Sequence, residues 1–450
     1  MKNLISRRKF LNTAGRGALG VGLVSSLPIQ SYAQANINSE GIYFPPPENL
    51  GGWRSFDPKG LDDIDEIKLA EAVNYHNTAE VSTSRGAAII IIHKGRLIAE
   101  SYVTGNDGGP ANWTAKTCND MKSSTKSVYG TGAGVFLDEY SDQVSLETDL
   151  VGQSRETSLI PQIWDQSITD ERKKKIKVKH VLSMTSGHAG PEPWLGRAKR
   201  QHYKDYKGAY QMYEYCFGWW NFEGVEAHDT LLFEPGTDYR YSNFGMEQFA
   251  LAMRNISGQK LGEYTYDKVL GPIGMPITLR NNQYRDMPYS DNRELNFDEI
   301  AGWGVGGSTG CDAYGADGSE SPYGLNSIAG STFRCTARDF ARLAYLWLNK
   351  GRWMDEQLVL ESWMDIATQR FKRDDGSTPN GYGYTFWVMD DIDGVPNDLF
   401  MSRGHNLNHS FIIPSKDLVV VRQGNDNRRT VNGEDFSAAL IRKVVAAIKA

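Results

Sequence analysis

The order of apolar and polar positions divides the chain into a β-rich beginning, a helical middle and a β-rich end. Near the beginning, the apolar run at 87–92 is followed by a turn at 93–95 and a second strand-like run at 96–103. This pattern predicts a tight antiparallel hairpin. Because the first run is apolar at every position, we expect its strand to be covered on both faces.

Strand-like runs return near the end, and an amphipathic helix at 436–450 closes the chain. These runs lie at 382–388, 399–403, 410–413 and 418–421. The pattern predicts an α/β (α+β) fold in which an antiparallel sheet, flanked by helices, is built from both termini. We expect residues 36–120 and 326–450 to form this sheet domain, and residues 121–325 to form an inserted, mostly helical domain.

The composition is that of a globular protein and narrows its partners. With 450 residues and 40% hydrophobic content, the chain is long enough for two or three packed domains. The net charge of −6 gives no electrostatic reason to expect nucleic-acid binding, and no apolar run of membrane-spanning length follows the N-terminal segment. The four cysteines lack the Cys-x-x-Cys spacing of zinc sites, and no other pattern predicts a metal or a cofactor.

Residues 1–35 have the features of a targeting segment. A twin-arginine signature, Ser6-Arg7-Arg8-Lys9-Phe10-Leu11, precedes a weakly apolar stretch at 18–27 and the small-x-small cleavage site Ala33-Gln34-Ala35. These features in this order predict a twin-arginine signal peptide. We therefore expect export across a bacterial cytoplasmic membrane and a mature chain that begins near Asn36 and is periplasmic or otherwise exported by the twin-arginine route. An uncleaved N-terminal anchor is the alternative.

A candidate nucleophile lies at the start of the helical middle. In Ser123-Ser124-Thr125-Lys126, Ser123 and Lys126 fall one helical turn apart, so that a neutral lysine amine can take the serine proton. The helix N-terminus favours negative charge beside the serine. The Ser-x-x-Lys pattern also occurs at 6–9 and 257–260, but cleavage removes the first copy, and Gly258 places the last in a helix connection.

Two further motifs follow along the chain. In Tyr241-Ser242-Asn243, the tyrosine and the asparagine can point into one cleft and serve proton transfer and lysine orientation; a core tyrosine beside a helix-capping asparagine is the alternative. The other motif is Gly404-His405-Asn406, near a strand. Together with Ser123-x-x-Lys126, and in this order, they resemble the motifs of the serine beta-lactamase and penicillin-recognising superfamily, specifically those of class C beta-lactamase-like serine hydrolases.

The resemblance extends over nearly all of the mature chain and implies a two-domain fold and an acyl-enzyme mechanism. By position, Ser123 resembles the nucleophile and Lys126 the base for acylation. Tyr241 resembles the residue that shares proton transfer. Asn243 would orient Lys126 or the substrate.

The third motif departs from the family pattern. Relatives carry Lys or His, any residue, then Gly, whereas His405-Asn406-Leu407 has leucine in the glycine position, where we expect it to crowd a substrate. In this register, the resemblance implies that the N–H groups of Ser123 and Asn408 stabilise the oxyanion. His405 would contact a substrate carboxylate or a leaving group, with a structural role as the alternative.

These observations predict an exported serine hydrolase that acts on a small-molecule ester or amide. A beta-lactamase or D-alanyl peptidase is the alternative within enzymes. A non-catalytic binding protein with the same cleft is the alternative outside them. The residues of the first two motifs are intact, which favours an enzyme. No feature of the sequence indicates the oligomeric state.

Overall fold

The computed structural model describes residues 36–106, 113–165, 168, 170–188, 230–259, 261–275, 333–373, 375–378 and 380–449. Its central element is a six-stranded antiparallel sheet with the strand order β2-β1-β10-β9-β8-β7. The strands are β1 (Ala87–His93), β2 (Arg96–Val103), β7 (Trp387–Val388), β8 (Phe400–Gly404), β9 (Asn408–Ile413) and β10 (Leu418–Gly424). Strands from both ends of the chain share one sheet, which confirms the predicted architecture.

Strand β1 lies between β2 and β10, and all 7 of its residues are buried. Its side chains alternate between two hydrophobic cores, with Ile90 and Ile92 in one core and Ile89 and Ile91 in the other. Because both faces of the sheet are covered, this strand is apolar at nearly every position, as its sequence predicts.

Helices cover both faces of the sheet. On the face of Ile89, α1 (Glu66–Thr78) packs against α9 (Phe436–Ala447). On the opposite face lie α3 (Thr125–Glu139) and α7 (Ala337–Leu348), and α7 contacts the central strands directly. The sheet is therefore the middle layer between two helical layers, which is the arrangement that buries both of its apolar faces.

The remaining helices and strands are α2 (Glu80–Thr83), β3 (Cys118–Asp120), α4 (Val178–Leu182), α5 (Asn243–Ser257), α6 (Leu261–Thr265), β4 (Arg334–Thr336), β5 (Arg352–Trp353), β6 (Glu356–Gln357), α8 (Glu361–Ala367), β11 (Thr430–Val431) and β12 (Glu434–Asp435). Strand β3 pairs with β4 just before α3 begins. The strand predicted at 382–388 is shorter than expected. A turn closed by the bond from the Gly383 N–H to the Phe386 carbonyl (2.9 Å) precedes β7.

Helix α3 carries glycines where neighbouring side chains press against its backbone. A Cβ atom at Gly130 would overlap Thr385, and one at Gly134 would overlap Trp363. Glycine destabilises a helix interior by about 1 kcal/mol relative to alanine. Here it allows close packing in return, and this packing brings the segment before β7 next to the start of α3.

Some predicted features lie outside the described residues. They include the signal peptide at 1–35 and part of the helical domain predicted at 121–325. The proposed domain boundaries therefore stay predictions. Within the described ranges, no helix combines the length and the apolar character needed to cross a membrane.

Candidate active site

Ser123 lies in a 3-10 turn, Lys122–Ser124, that leads directly into α3. Lys122 adopts a left-handed backbone with φ 53°, which an ordinary residue rarely does. Asp120 holds this conformation, because its carboxylate accepts both the Lys122 backbone N–H (2.8 Å) and the Lys122 Nζ (2.6 Å). The sharp turn leaves Ser123 half-buried at the helix start, whereas the Ser124 side chain is buried.

Lys126 links the serine to the second motif. Its side chain is buried, with the residue only 1% exposed. The Nζ atom lies 3.3 Å from the Ser123 Oγ and donates to the Asn243 Oδ1 at 2.6 Å. Asn243 is the first residue of α5, and it is 117 positions away in sequence. The structure therefore brings Ser123, Lys126 and Asn243 into one hydrogen-bonded group, as the sequence motifs predict.

Tyr241 presents the face of its ring to the same lysine. The Lys126 Nζ lies 4.8 Å from the centre of the Tyr241 ring. This ring stacks on Trp387 at 6.1 Å and meets Tyr382 edge-on at 6.4 Å. Tyr382 is fully buried, and burial raises the pKa of its hydroxyl well above the usual value. The sequence reasoning missed this aromatic wall of Tyr382 and Trp387, although both residues lie in a run that it identified as strand-like.

On the other side of Ser123 lies the turn that joins β8 to β9, formed by residues 405–407. Gly404, at the end of β8, packs against the backbone carbonyl of Met121, and a Cβ atom at this position would overlap that oxygen. Met121 precedes Ser123 by two residues. The close backbone approach that the family resemblance assigns to position 407 thus occurs at Gly404.

The Leu407 side chain is buried in the protein interior. It is 5% exposed and packs in the core that α1 and α9 cover. Its backbone is left-handed, with φ 59°. The expectation that Leu407 crowds a substrate is therefore wrong, because the turn directs its side chain into the protein interior.

Asn408 is fully buried, and its side chain has a structural role. The Nδ2 atom donates to the carbonyls of His405 (2.8 Å) and Gly424 (3.1 Å). The Oδ1 atom accepts the Asn119 side-chain amide (2.8 Å) and the Gly424 N–H (3.0 Å). Both donors and both lone pairs of the amide are in use. Asn408 can therefore reach a substrate only through its backbone.

The two histidines of this region differ in exposure. His405 is exposed on the turn, yet partial desolvation, together with Arg429 and Lys122, lowers the pKa of its ring below the usual value. His409 is buried in β9 beside Ser437 (3.1 Å), and burial lowers its pKa much further. Both shifts favour the neutral form of the ring. His405 is thus placed to contact a ligand, whereas His409 is part of the core.

A buried lysine beside a half-buried serine, facing a turn of close backbone contacts, is the arrangement of a serine hydrolase that uses lysine as its base. The family model "Beta-lactamase" matches residues 76–442 of the chain. The protein therefore belongs to the beta-lactamase family of serine hydrolases. No curated protein matches the chain significantly.

Solved structures with the same fold include proteins of several named activities. A Bacillus anthracis protein proposed to be a 6-aminohexanoate-dimer hydrolase is 16% identical, with a TM-score of 0.55 over 92% of this chain and 93% of its own. A family VIII carboxylesterase is 16% identical, with a TM-score of 0.54 over 85% and 97%. A penicillin-binding protein homologue from Caulobacter crescentus is 15% identical, with a TM-score of 0.54 over 84% and 97%. At these identities the likeness is one of fold.

Proposed function

We propose that this protein is an exported serine hydrolase that cleaves a small ester or amide through an acyl-enzyme on Ser123. The observation that carries the proposal is the 3.3 Å contact between the Lys126 Nζ and the Ser123 Oγ. Lys126 must be neutral to accept the serine proton, and burial of an amine favours its neutral form. Export is inferred from the twin-arginine segment at 1–35.

The reaction follows from the positions of these groups. The Ser123 Oγ forms a bond to the substrate carbonyl carbon while its proton passes to Lys126. When the tetrahedral intermediate collapses, the C–O or C–N bond breaks, and the leaving alcohol or amine takes this proton, directly or through Tyr241. Water then attacks the acyl group by the same route in reverse, releasing the acid and restoring Ser123.

The oxyanion of the intermediate needs two N–H donors, of which Ser123 supplies one. The family resemblance implies that Asn408 supplies the other. The close contact between Gly404 and Met121 favours the His405 N–H instead, because His405 directly follows that contact. We assign the second donor to His405.

Esters and amides are both reasonable substrates. The carboxylesterase and the Bacillus anthracis protein, whose names refer to these two bond types, share the fold of this chain. The penicillin-binding homologue keeps a beta-lactam substrate as the alternative. The substrate class must therefore be part of the test.

The test compares the wild-type protein with Ser123→Ala and Ser257→Ala on p-nitrophenyl acetate and on a fluorescent penicillin. Ser257 is the matched control, because it belongs to another Ser-x-x-Lys copy and its hydroxyl donates to the Met253 carbonyl (2.7 Å). We expect wild type and Ser257→Ala to hydrolyse the ester, and Ser123→Ala to lose activity by roughly 10⁴-fold or more.

Three other outcomes would change the assignment. Undiminished hydrolysis by Ser123→Ala would remove Ser123 as the nucleophile. Stable labelling or turnover of the penicillin, dependent on Ser123, would establish the beta-lactam alternative. A wild-type protein that processes neither compound would favour the non-catalytic binding protein.

A further inference from the structure

The turn between β8 and β9 has an unusual backbone. Asn406 has φ 62° and Leu407 has φ 59°, so two consecutive residues other than glycine are left-handed. Side chains with a Cβ atom disfavour this region, and a leucine does so more than an asparagine. Contacts from outside the turn must therefore stabilise it.

Arg422, on β10, supplies such contacts from the protein interior. Its Nη1 donates to the carbonyls of Asn406 and Leu407, at 3.1 Å each. Its Nη2 donates to the carbonyl of Val81 at 3.0 Å. The planar guanidinium thus joins the two left-handed residues to the segment before β1. A single rigid fork of donors suits this geometry better than a lysine amine does.

Burying the charge of Arg422 is costly, so its position in the core needs an explanation. It is 1% exposed, and burial lowers the pKa of its guanidinium to about 9. Within the described part of the chain, its hydrogen-bond partners are backbone carbonyls, and no carboxylate forms an ion pair with it. The Phe436 ring lies 5.3 Å from the Arg422 Cζ. Asp426 favours this charge without forming an ion pair with it, and a charge buried in this way is costly.

The same turn is attached to the nucleophile. Ser124 directly follows Ser123, and its hydroxyl donates to the Asn408 carbonyl at 2.7 Å. Gly404 packs on the Met121 carbonyl on the other flank of Ser123. The conformation of the turn therefore decides where its backbone N–H groups lie relative to the serine.

We propose that Arg422 is a positioning residue, which holds residues 405–407 in their left-handed turn and so aims a backbone N–H at the oxyanion. This role rests on the proposed hydrolase function. It applies whether the donor is the N–H of His405 or that of Asn408, because both residues adjoin the clamped carbonyls.

The experiment disturbs the turn in two independent ways. Arg422→Lys keeps the charge but removes the fork of donors. Asn406→Val leaves Arg422 intact and places a β-branched residue, which disfavours left-handed backbone, at a half-buried position. The second variant does not touch the core, so it keeps the test valid if Arg422→Lys fails to fold.

Each variant has a matched control elsewhere in the molecule. Arg342→Lys alters another buried arginine, which donates to the Pro45 carbonyl (2.8 Å) and pairs with Glu48. Asn432→Val makes the same change at an exposed left-handed asparagine, φ 51°, between β11 and β12. The controls separate loss of stability from loss of positioning.

The measurements are kcat and KM for p-nitrophenyl acetate, the melting temperature, and the Kd of a boronic acid that forms a tetrahedral adduct with the serine. For Arg422→Lys we expect kcat to fall by about 10²-fold and the boronate to bind correspondingly more weakly, with KM within about threefold. For Asn406→Val we expect about a 10-fold loss of both. The controls should lower the melting temperature while kcat stays within about twofold.

Two results would overturn the inference, and they are distinguishable. If the wild type is active but kcat and boronate affinity in Asn406→Val, and in Arg422→Lys if it folds, match those of the controls, Arg422 is only a structural residue. If the wild type neither hydrolyses the ester nor binds the boronate, the proposed function itself fails, and the positioning role fails with it.

Discussion

Ser123 is flanked by two walls, which differ in the groups that they present to the serine. One wall consists of side chains: Lys126, Asn243 and the ring of Tyr241. The other wall is the turn at 405–407 with its flanking residues Gly404 and Asn408, which contact Met121 and Ser124, the neighbours of Ser123 in the chain. Residue type therefore decides the function of the first wall, whereas backbone conformation decides that of the second. Substitutions should affect the two walls in correspondingly different ways.

The largest effect is expected on the side-chain wall. Lys126→Met keeps the volume of the buried side chain but removes the amine that takes the Ser123 proton, so kcat should fall by about 10³-fold or more. Lys173→Met is the control, because Lys173 is also 1% exposed. Ester hydrolysis by both variants measures the difference. An active Lys126→Met would show that another group acts as the base.

A smaller effect is expected on the backbone wall when a substitution removes one of its N–H groups. His405 is the first residue of its 3-10 turn and follows an extended Gly404 (φ −113°, ψ 155°), which is the kind of position that accepts proline. His405→Pro should lower kcat by about 10²-fold or more, since one oxyanion donor is lost. His405→Ala keeps the N–H and should lose less than about 10-fold.

This pair of variants also decides between the two candidate donors. If His405→Pro and His405→Ala are equally active and both are close to wild type, the second oxyanion donor is the Asn408 N–H that the sequence predicts. If both lose activity equally, the imidazole ring itself has the larger role.

The smallest effect concerns stability beneath the turn. His76 is fully buried, and burial, with Arg422 nearby, lowers its pKa to about 3. The unfolded chain binds a proton on this ring below about pH 6.5, whereas the folded protein does not. Folding stability should therefore fall as the pH drops from 6.5 towards 3, by up to about 1.4 kcal/mol per unit from this ring.

Urea unfolding at pH 7 and pH 4.5 measures this contribution, with His76→Gln as the comparison. The variant should lose less stability than wild type between the two pH values, by about 2 kcal/mol. Equal losses in both proteins would mean that His76 is protonated in the folded state.

The contrast between the walls also explains what the sequence can predict. Proton transfer needs particular side chains, so Ser123, Lys126 and Asn243 could be found from their types and spacing, although their roles stay predictions. Every residue except proline has a backbone N–H, so the type of a residue does not mark an oxyanion donor. The register predicted for the turn therefore depends on the glycine of the family pattern. The structure places the close contact at Gly404 instead.

The fold is easier to predict from the sequence than the turn, because the long-range pairing of strands follows from their apolar runs. The run at 87–92 predicts a strand covered on both faces, and β1 is such a strand. The contacts that shape the site are not visible in this way. Arg422 and Trp387 are brought near the site by strands that pair across the sheet, with Arg422 opposite His409 and Trp387 opposite Met401. Asp120 is different, because an aspartate two residues before a turn is a local signal that the sequence does contain.

The most direct test of the proposed mechanism is to find where the acyl group is held. Wild-type protein is mixed with a slowly deacylating p-nitrophenyl ester, quenched in acid, digested and examined by mass spectrometry. An acyl-enzyme mechanism predicts the added mass of the acyl group on Ser123, and none on that peptide in Ser123→Ala. Ester hydrolysis with no adduct on Ser123, or with an adduct on another residue, would contradict it.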